Sequence, residues 1–206
     1  MTEKTVKYLV IPGIIGPIFF FILLTILGIL WSGYDPISTG MSEIGAVDSP
    51  FKDIMNYLGF SLLGLFIIAF SVGYKIYFKS NLIMTITCII LFLGGTFLFL
   101  VGFLPCDAQC VDVTLTGELH SLASMISAIL ISVAVIFSAQ PISIKWGKKW
   151  GYISFFLGIL SLASGPIMFI EYLDNYSGLI QRLGIGLSLL WVLIASIKIS
   201  LEIHHP

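Results

Sequence analysis

The stretch Phe103-Leu104-Pro105-Cys106-Asp107, running on to Leu119-His120-Ser121-Leu122-Ala123-Ser124, lies between two apolar runs, Asn81–Leu104 and Leu119–Ala139. It carries two of the three cysteines, the one histidine outside the C-terminal tail, and the carboxylates Asp107, Asp112 and Glu118. As helices, the flanking runs are long enough to cross a hydrocarbon core of about 30 Å, which takes about 20 apolar residues. They are continuous rather than alternating, and an open sheet would leave unpaired backbone groups in lipid. The polar interval is therefore expected at one membrane surface, presented there by a helical bundle.

Working outward, four further runs have the same character: Tyr8–Trp31, Asn56–Phe78, Trp150–Leu173 and Ser177–Ile197. The expected fold is all-α: a polytopic membrane protein, a bundle of six transmembrane helices forming a single domain over residues 1–206, with an ordered outer loop between helices one and two. Composition agrees. The chain is 58% hydrophobic and 10% charged, with mean hydropathy +1.06, whereas globular domains carry roughly 25% charged residues. A net charge of −1, with no basic stripe, zinc knuckle or glycine-rich phosphate loop, argues against a nucleic-acid partner. The first run follows Lys4 and Lys7, as in a signal peptide. It is too long for an h-region and has no A-x-A site, so it is taken as a retained helix.

Charge sets the orientation. With six crossings both termini share a side, and that side holds Lys4, Lys7, Lys75, Lys79, Lys145, Lys148, Lys149 and Lys198; the other holds only Lys52 and Arg182. The positive-inside rule then expects a multi-pass protein of the cell membrane with both termini cytoplasmic. The acids are reversed: Asp35, Glu43, Asp48, Asp53, Asp107, Asp112, Glu118, Glu171 and Asp174 fall outside, Glu3 and Glu202 inside. A solvated loop surface is the plain account of that acidity.

Pro12, Gly13, Gly16 and Pro17 in helix one predict a kink or a close helix contact. The long loop Ser32–Met55 opens with turn chemistry at Tyr34-Asp35-Pro36 and is expected to form a short interfacial helix or re-entrant cap. Ser42 and Glu43 are its notable polar residues, against the plainer reading of a turn cap and a solvated carboxylate. Helices two and three should form a tight hairpin about Lys79-Ser80-Asn81, thinned by Gly59, Gly64 and Gly73 on one side and Gly94, Gly95 and Gly102 on the other. Cys88 is expected to be a packed, inert thiol. Gln140–Lys149 is expected to be a short basic turn at the cytoplasmic interface, marked by Trp146 and Trp150, its lysines drawn to anionic lipid. In helix five, Gly151, Ser154, Gly158, Ser161 and Gly165 recur at steps of three and four as a packing seam, a face through which a homo-oligomer could also form. Asn175-Tyr176-Ser177 matches a glycosylation sequon, a match common by chance.

Cys106 and Cys110 read as a disulfide on the oxidising side, as free thiols, or as half of a metal site; the pair alone is a weak metal signal. His120 forms an i, i+4, i+7 stripe with Ser124 and Ser127 that should face the bundle. A histidine at that depth is often functional, though an interfacial histidine bonded to water is the plainer reading. Arg182 is the only basic residue near the membrane on the acidic side. It either snorkels outward, pairs with Glu171, Asp107 or Glu43, or holds an anionic headgroup in its forked donors.

Tyr34-Asp35-Pro36-Ile37-Ser38 with Met41-Ser42-Glu43-Ile44-Gly45, then Pro105-Cys106-Asp107, Gly117-Glu118-Leu119-His120 and Gly178 to Arg182, resemble the membrane family known as domain of unknown function 998, over nearly the whole chain. The loop from Pro36 to Glu43 also resembles, more faintly, the Frag/DRAM/Sfk group of six-helix membrane proteins linked to lipid handling. The first resemblance implies a six-helix membrane fold, groups Ser42, Glu43, Asp107, His120 and Arg182, and implies no established reaction.

Two functions compete. One is a non-enzymatic lipid-binding, sensing or scaffold protein with an outward-facing polar site and membrane lipids as partners. The other is a membrane-embedded hydrolase or transferase acting on a lipid or lipid-linked substrate. There Asp107 and His120 would be the acid–base pair, Ser42 or Ser124 the nucleophile, and Glu43, Glu171 and Arg182 would hold the ligand. No cofactor is expected; a divalent metal on His120, Asp107 and Glu43 is poorly supported by a single histidine. A transporter is disfavoured because the helix centres hold almost no ionisable residue.

Overall fold

The structure, a computed structural model, describes residues 3–78, 81–168 and 170–204. Among these, six helices are long and apolar enough to cross a membrane. α1 is Glu3–Leu30, α2 Ile54–Phe78, α3 Leu82–Val101, α4 Leu115–Trp146 and α5 Lys148–Ile167. α6 is Ser177–His204. No strand occurs among the described residues. The hairpin turn between α2 and α3 falls on Lys79 and Ser80, outside the described residues.

Successive helices pack side by side, and α6 returns against α1, which closes a ring. α6 also touches α2 and α4, so Leu189, Trp191, Val192, Ala195 and Ile199 on α6 are all buried. The edge of Trp191 meets Phe70 and Tyr74 of α2.

Small residues let the backbones close up, as association in lipid favours. A Cβ on Gly64 would lie 2.4 Å from the Phe99 nitrogen and 2.7 Å from the Gly95 oxygen. From Gly151 to Ser161 the seam on α5 faces inward within the chain: Gly151 meets Ala139 and Ser143, and Gly158 meets Ile136 and Ser132, whereas Gly165 at its far end is exposed. Ser161 adds a polar clasp, bonding Ser132 at 2.8 Å and Ser188 at 2.7 Å and donating to the Gly184 carbonyl at 2.6 Å. In α1, Gly13 closes on Ser196 and Phe70, and Gly16 on Phe66. The helix is interrupted by a turn at Ile11, just before Pro12.

The boundaries differ from the sequence reading at several ends: α1 begins at Glu3, not Tyr8, and α6 runs to His204, not Ile197, and three differences at α4 and α5 bear on the loops. α4 starts at Leu115, not Leu119, because Thr114 caps it by accepting from the Gly117 N–H. It runs to Trp146 rather than Ala139, straight through Pro141. The basic turn expected over Gln140–Lys149 is therefore mostly helix. Packing holds it: Ile142 is buried and the Trp146 ring stands 5.1 Å from that of Phe78. The chain turns only at Gly147, at φ 94°, a conformation that suits glycine. α5 ends at Ile167, and Glu171–Tyr176 forms a 3-10 turn instead of the last turns of a span.

The loop between α1 and α2 is ordered. Ser42–Gly45 is a 3-10 turn whose apolar side chains sink into the bundle: Met41, Ile44 and Ala46 are buried. α2 then begins with π-helical turns over Ile54–Ser61. These wider turns set the Asn56 amide to donate to the Gly45 carbonyl at 2.8 Å and the Ser61 hydroxyl to the Phe99 carbonyl at 2.9 Å.

Candidate functional site at the loop end

The loop end, opposite the termini, is held together by side chains bonded to backbone. Asp35 makes the first turn, its carboxylate accepting from the Ile37 N–H at 3.1 Å and from the Ser38 N–H and hydroxyl at 3.2 and 2.7 Å. These bonds hold its carboxyl below the ordinary carboxylate range. The start of α6 then takes the loop along its length. Leu179 N–H donates to the Ile37 carbonyl at 2.9 Å. The Ser177 hydroxyl donates to the Ser38 carbonyl at 2.8 Å, and Gln181 accepts from the Met41 N–H at 2.6 Å.

Arg182 is the centre of this lacing. One of its terminal nitrogens donates to the Thr39 carbonyl at 2.9 Å and the Gly178 carbonyl at 2.8 Å; the other donates to the Tyr34 hydroxyl. Tyr34 in turn donates to the Gly40 carbonyl at 3.2 Å. Burial raises the Tyr34 phenol above its ordinary value, with the Arg182 guanidinium opposing. Among the described residues no carboxylate lies within ion-pair distance of Arg182. Glu171 is exposed, and Asp107 and Glu43 bond elsewhere. The arginine clamps a loop, using its fork on neutral oxygens.

Asp107 and His120 are not paired. Asp107 accepts from the Val113 and Thr114 N–H groups at 2.9 and 2.7 Å and from the Thr114 hydroxyl at 2.8 Å. These bonds, the Thr114 N–H foremost, hold its carboxyl below the ordinary 3.8. The residue builds the turn into α4. His120, buried at 2% exposure, puts Nδ1 2.5 Å from the Leu104 carbonyl oxygen. A carbonyl only accepts, so Nδ1 carries the proton, and Nε2 has no hydrogen-bond partner. His120 thus ties α4 to the end of α3, with the Phe60 ring edge-on to it. Ser124 is half-buried, and Ser127, below it, donates to the Gly94 carbonyl at 2.9 Å.

Cys106 and Cys110 are joined by a disulfide. Gln109 and Cys110 inside that short loop take left-handed backbone, φ 57° and 51°. The loop is bonded to its neighbour: Val47 N–H donates to the Cys106 carbonyl at 3.0 Å, and the Cys106 sulfur lies 3.4 Å from the Ser42 carbonyl oxygen. Ser42, half-buried, therefore takes part through its main chain.

Between these loops lies a half-open cavity of about 290 Å³, lined by Trp31, Ser32, Gly33, Tyr34, Thr39, Glu43, Asp48 and Gln109. The Trp31 and Tyr34 rings stack at 5.5 Å between centroids. Glu43, half-buried, accepts from the Gly40 N–H at 2.8 Å. Burial, with the Asp48 charge adding, raises its carboxyl above the ordinary 4.5. The wall is acidic. Of the residues singled out from sequence only Glu43 lines it; Trp31, Tyr34, Asp48 and Gln109 are additions. The Trp31/Tyr34 spacing of three at the end of the first apolar run was the one available signal. Among the described residues no three of His, Cys, Asp and Glu converge to hold a metal ion.

Six membrane-crossing helices under a laced polar cap define a multi-pass membrane protein. The chain belongs to the family described as Protein of unknown function (DUF998), which it matches over residues 14–198, from within α1 into α6. No curated protein and no solved structure matches it.

Proposed function

We propose that this is a non-catalytic binding protein of the cell membrane, with cytoplasmic termini and the loop end outward, whose loop-end cavity receives the cationic headgroup of a lipid. The cavity carries the reading: two carboxylates, Glu43 and Asp48, share a wall with the stacked Trp31 and Tyr34. Carboxylates neutralise an ammonium and the Trp31 face attracts it, the Tyr34 ring already carrying the Arg182 guanidinium at 5.6 Å. At about 290 Å³ the space suits a headgroup, small ligand sites starting near ~300 Å³. Supporting the non-catalytic side, Asp107, His120 and Arg182 all bond to neighbouring loop and turn groups, and Arg182 holds Thr39 and Tyr34 of the cavity wall. The outward placement follows from the excess of lysine at the terminal end.

The test is retention of short-chain phosphatidylethanolamine and phosphatidylcholine by detergent-purified protein in native mass spectrometry, wild type beside Glu43→Gln and Trp31→Ala. Each substitution is expected to weaken binding about tenfold, the scale of one desolvated charge or cation–π contact. Unchanged retention in both variants overturns the proposal. The pH dependence has a fixed sign. Only ionised Glu43 attracts the cation, so affinity is lost as pH falls through its raised value. Without ligand, native Glu43 holds its proton more tightly than unfolded Glu43. The stability cost of ionising it is therefore relieved over the same fall, down to about 4.5.

A further inference from the structure

At the terminal end, α5 presents a second feature that the loop-end cavity does not involve. A shallow apolar furrow of about 560 Å³ runs along its outer face, lined by Lys149, Tyr152, Ile153, Phe156, Leu157 and Leu160. These positions form one helical stripe, opposite the seam of Gly151, Ser154, Gly158 and Ser161 that faces α4 and α6. Tyr152, Phe156 and Leu160 are 63%, 58% and 55% exposed, and among the described residues nothing covers them.

Length and charge identify the occupant. From Lys149 to Leu160 the helix rises about 16 Å at ~1.5 Å per residue, close to half of a hydrocarbon core of about 30 Å. The furrow therefore reaches from the interface, marked by Trp146 and Trp150, to the bilayer centre: the depth of one leaflet. An acyl chain fits that span. At its mouth stand Lys148 and Lys149, both exposed. Two other lysines at this end have partners: Lys145 lies 4.4 Å over the Tyr77 ring, and Lys198 is 3.2 Å from Glu202. Among the described residues Lys148 and Lys149 have no carboxylate within ion-pair distance, and the first turn of α5 contains no acid. Two lysines at a helix N-terminus repel its dipole; an anionic phosphodiester, with its single negative charge, would offset part of that repulsion.

We propose that the α5 furrow is a site for an anionic phospholipid of the leaflet at the terminal end, one acyl chain lying along Tyr152, Phe156 and Leu160 and the phosphate held by Lys148 and Lys149. The chemistry recognised is a phosphodiester of net negative charge, the reverse of that at the loop-end cavity.

The test uses the whole protein in nanodiscs of equal phosphatidylglycerol and phosphatidylcholine with matched acyl chains. Lipids are stripped stepwise, and those retained are identified by native mass spectrometry. Wild type is expected to keep phosphatidylglycerol over phosphatidylcholine about thirtyfold, the scale two lysines give at a membrane surface. The double substitution Lys148→Gln with Lys149→Gln should bring the ratio to parity, whereas Lys4→Gln with Lys7→Gln should leave it unchanged. Leu160→Trp, which fills the furrow, should lower retention of both lipids. Parity in wild type, or a preference that survives the Lys148/Lys149 substitution, overturns the proposal. Should the double variant fail to fold, raising salt on wild type serves instead: the preference must fall, and one indifferent to salt overturns the site.

Discussion

At the loop end Arg182 donates to two carbonyls and a phenol, and Asp107 accepts from two backbone N–H groups and a hydroxyl. At the terminal end Lys145 rides over the Tyr77 ring and Lys198 over those of Trp146 and Trp150. Arg182 also lies 5.6 Å over the Tyr34 ring and Lys198 also pairs with Glu202, but the main means of holding charge differ between the two ends, and the difference has consequences. A guanidinium shared among fixed carbonyls is satisfied by one loop conformation only. An ammonium over a ring face tolerates sliding and tilting. The first arrangement fixes Tyr34 and Thr39 in one wall of the cavity. The second adapts to whatever lipid or water lies alongside.

The largest expected break in this contrast is Arg182→Ala. It leaves the Thr39 and Gly178 carbonyls and the Tyr34 hydroxyl short of a charged donor. Bonds to charged groups are worth about 1.5–3 kcal/mol each, and the vacated groups can partly rehydrate, so the net loss should be about 2–4 kcal/mol. In detergent this reads as a lower apparent melting temperature, with amide exchange rising over residues 34–45 while the spans keep their protection. Arg182→Lys should recover only part, since a point charge cannot serve three oxygens in the plane of a fork. Equal losses for Arg182→Ala and Lys145→Ala would erase the distinction between the ends.

A smaller effect comes from acid. Because its bonds hold the Asp107 carboxyl below 3.8, the unfolded chain binds that proton more readily than the native one. Asp107 therefore contributes stability that is fully present above about pH 4, is lost as pH falls through its lowered native value, and is constant below it. Asp107→Ala should flatten that limb of a stability–pH curve measured by thermal unfolding. Gly117→Ala should do the same from the other side, since its Cβ would lie 2.2 Å from the Asp107 carboxylate oxygen. An acid limb as steep in both variants as in wild type would assign it to other carboxylates.

These residues also mark what could be read from sequence. The spans and the ordered loop were legible because membrane burial imposes long continuous apolar runs and Pro36 sits in recognisable turn chemistry. Asp107, His120 and Arg182 were legible as residues worth attention, since charge and imidazole near lipid are costly. Their partners were not legible. All three bond to backbone or to neighbouring turn and loop groups, and a carbonyl has no residue identity to search for. The sequence suggested side chain to side chain pairs, Asp107 with His120 and Arg182 with a carboxylate, because only side chains are written in it. The cavity was hidden for a related reason. Trp31, Glu43, Asp48 and Gln109 converge through two loops held together by the Val47–Cys106 backbone bond, and left-handed backbone at Gln109 has no glycine to announce it. At the end of α4 Gln140-Pro141 suggests a stop, whereas Ile142 and Trp146 pack the helix onward.

The smallest expected effect bears on the terminal end. Lys145 is exposed, 4.4 Å from the Tyr77 centroid and 5.9 Å from that of Phe78. An exposed cation–π contact is worth about 0.5–1 kcal/mol, so Lys145→Ala should lower the apparent melting temperature only slightly. Lys145→Arg should cost nothing measurable, because a planar guanidinium stacks on the same ring at least as well. That tolerance distinguishes the two ends: at position 182 the exchange of arginine for lysine loses bonds, and at position 145 the reverse exchange loses none. A thermal shift for Lys145→Arg as large as that for Arg182→Lys would mean that the aromatic end, too, is built around one fixed geometry.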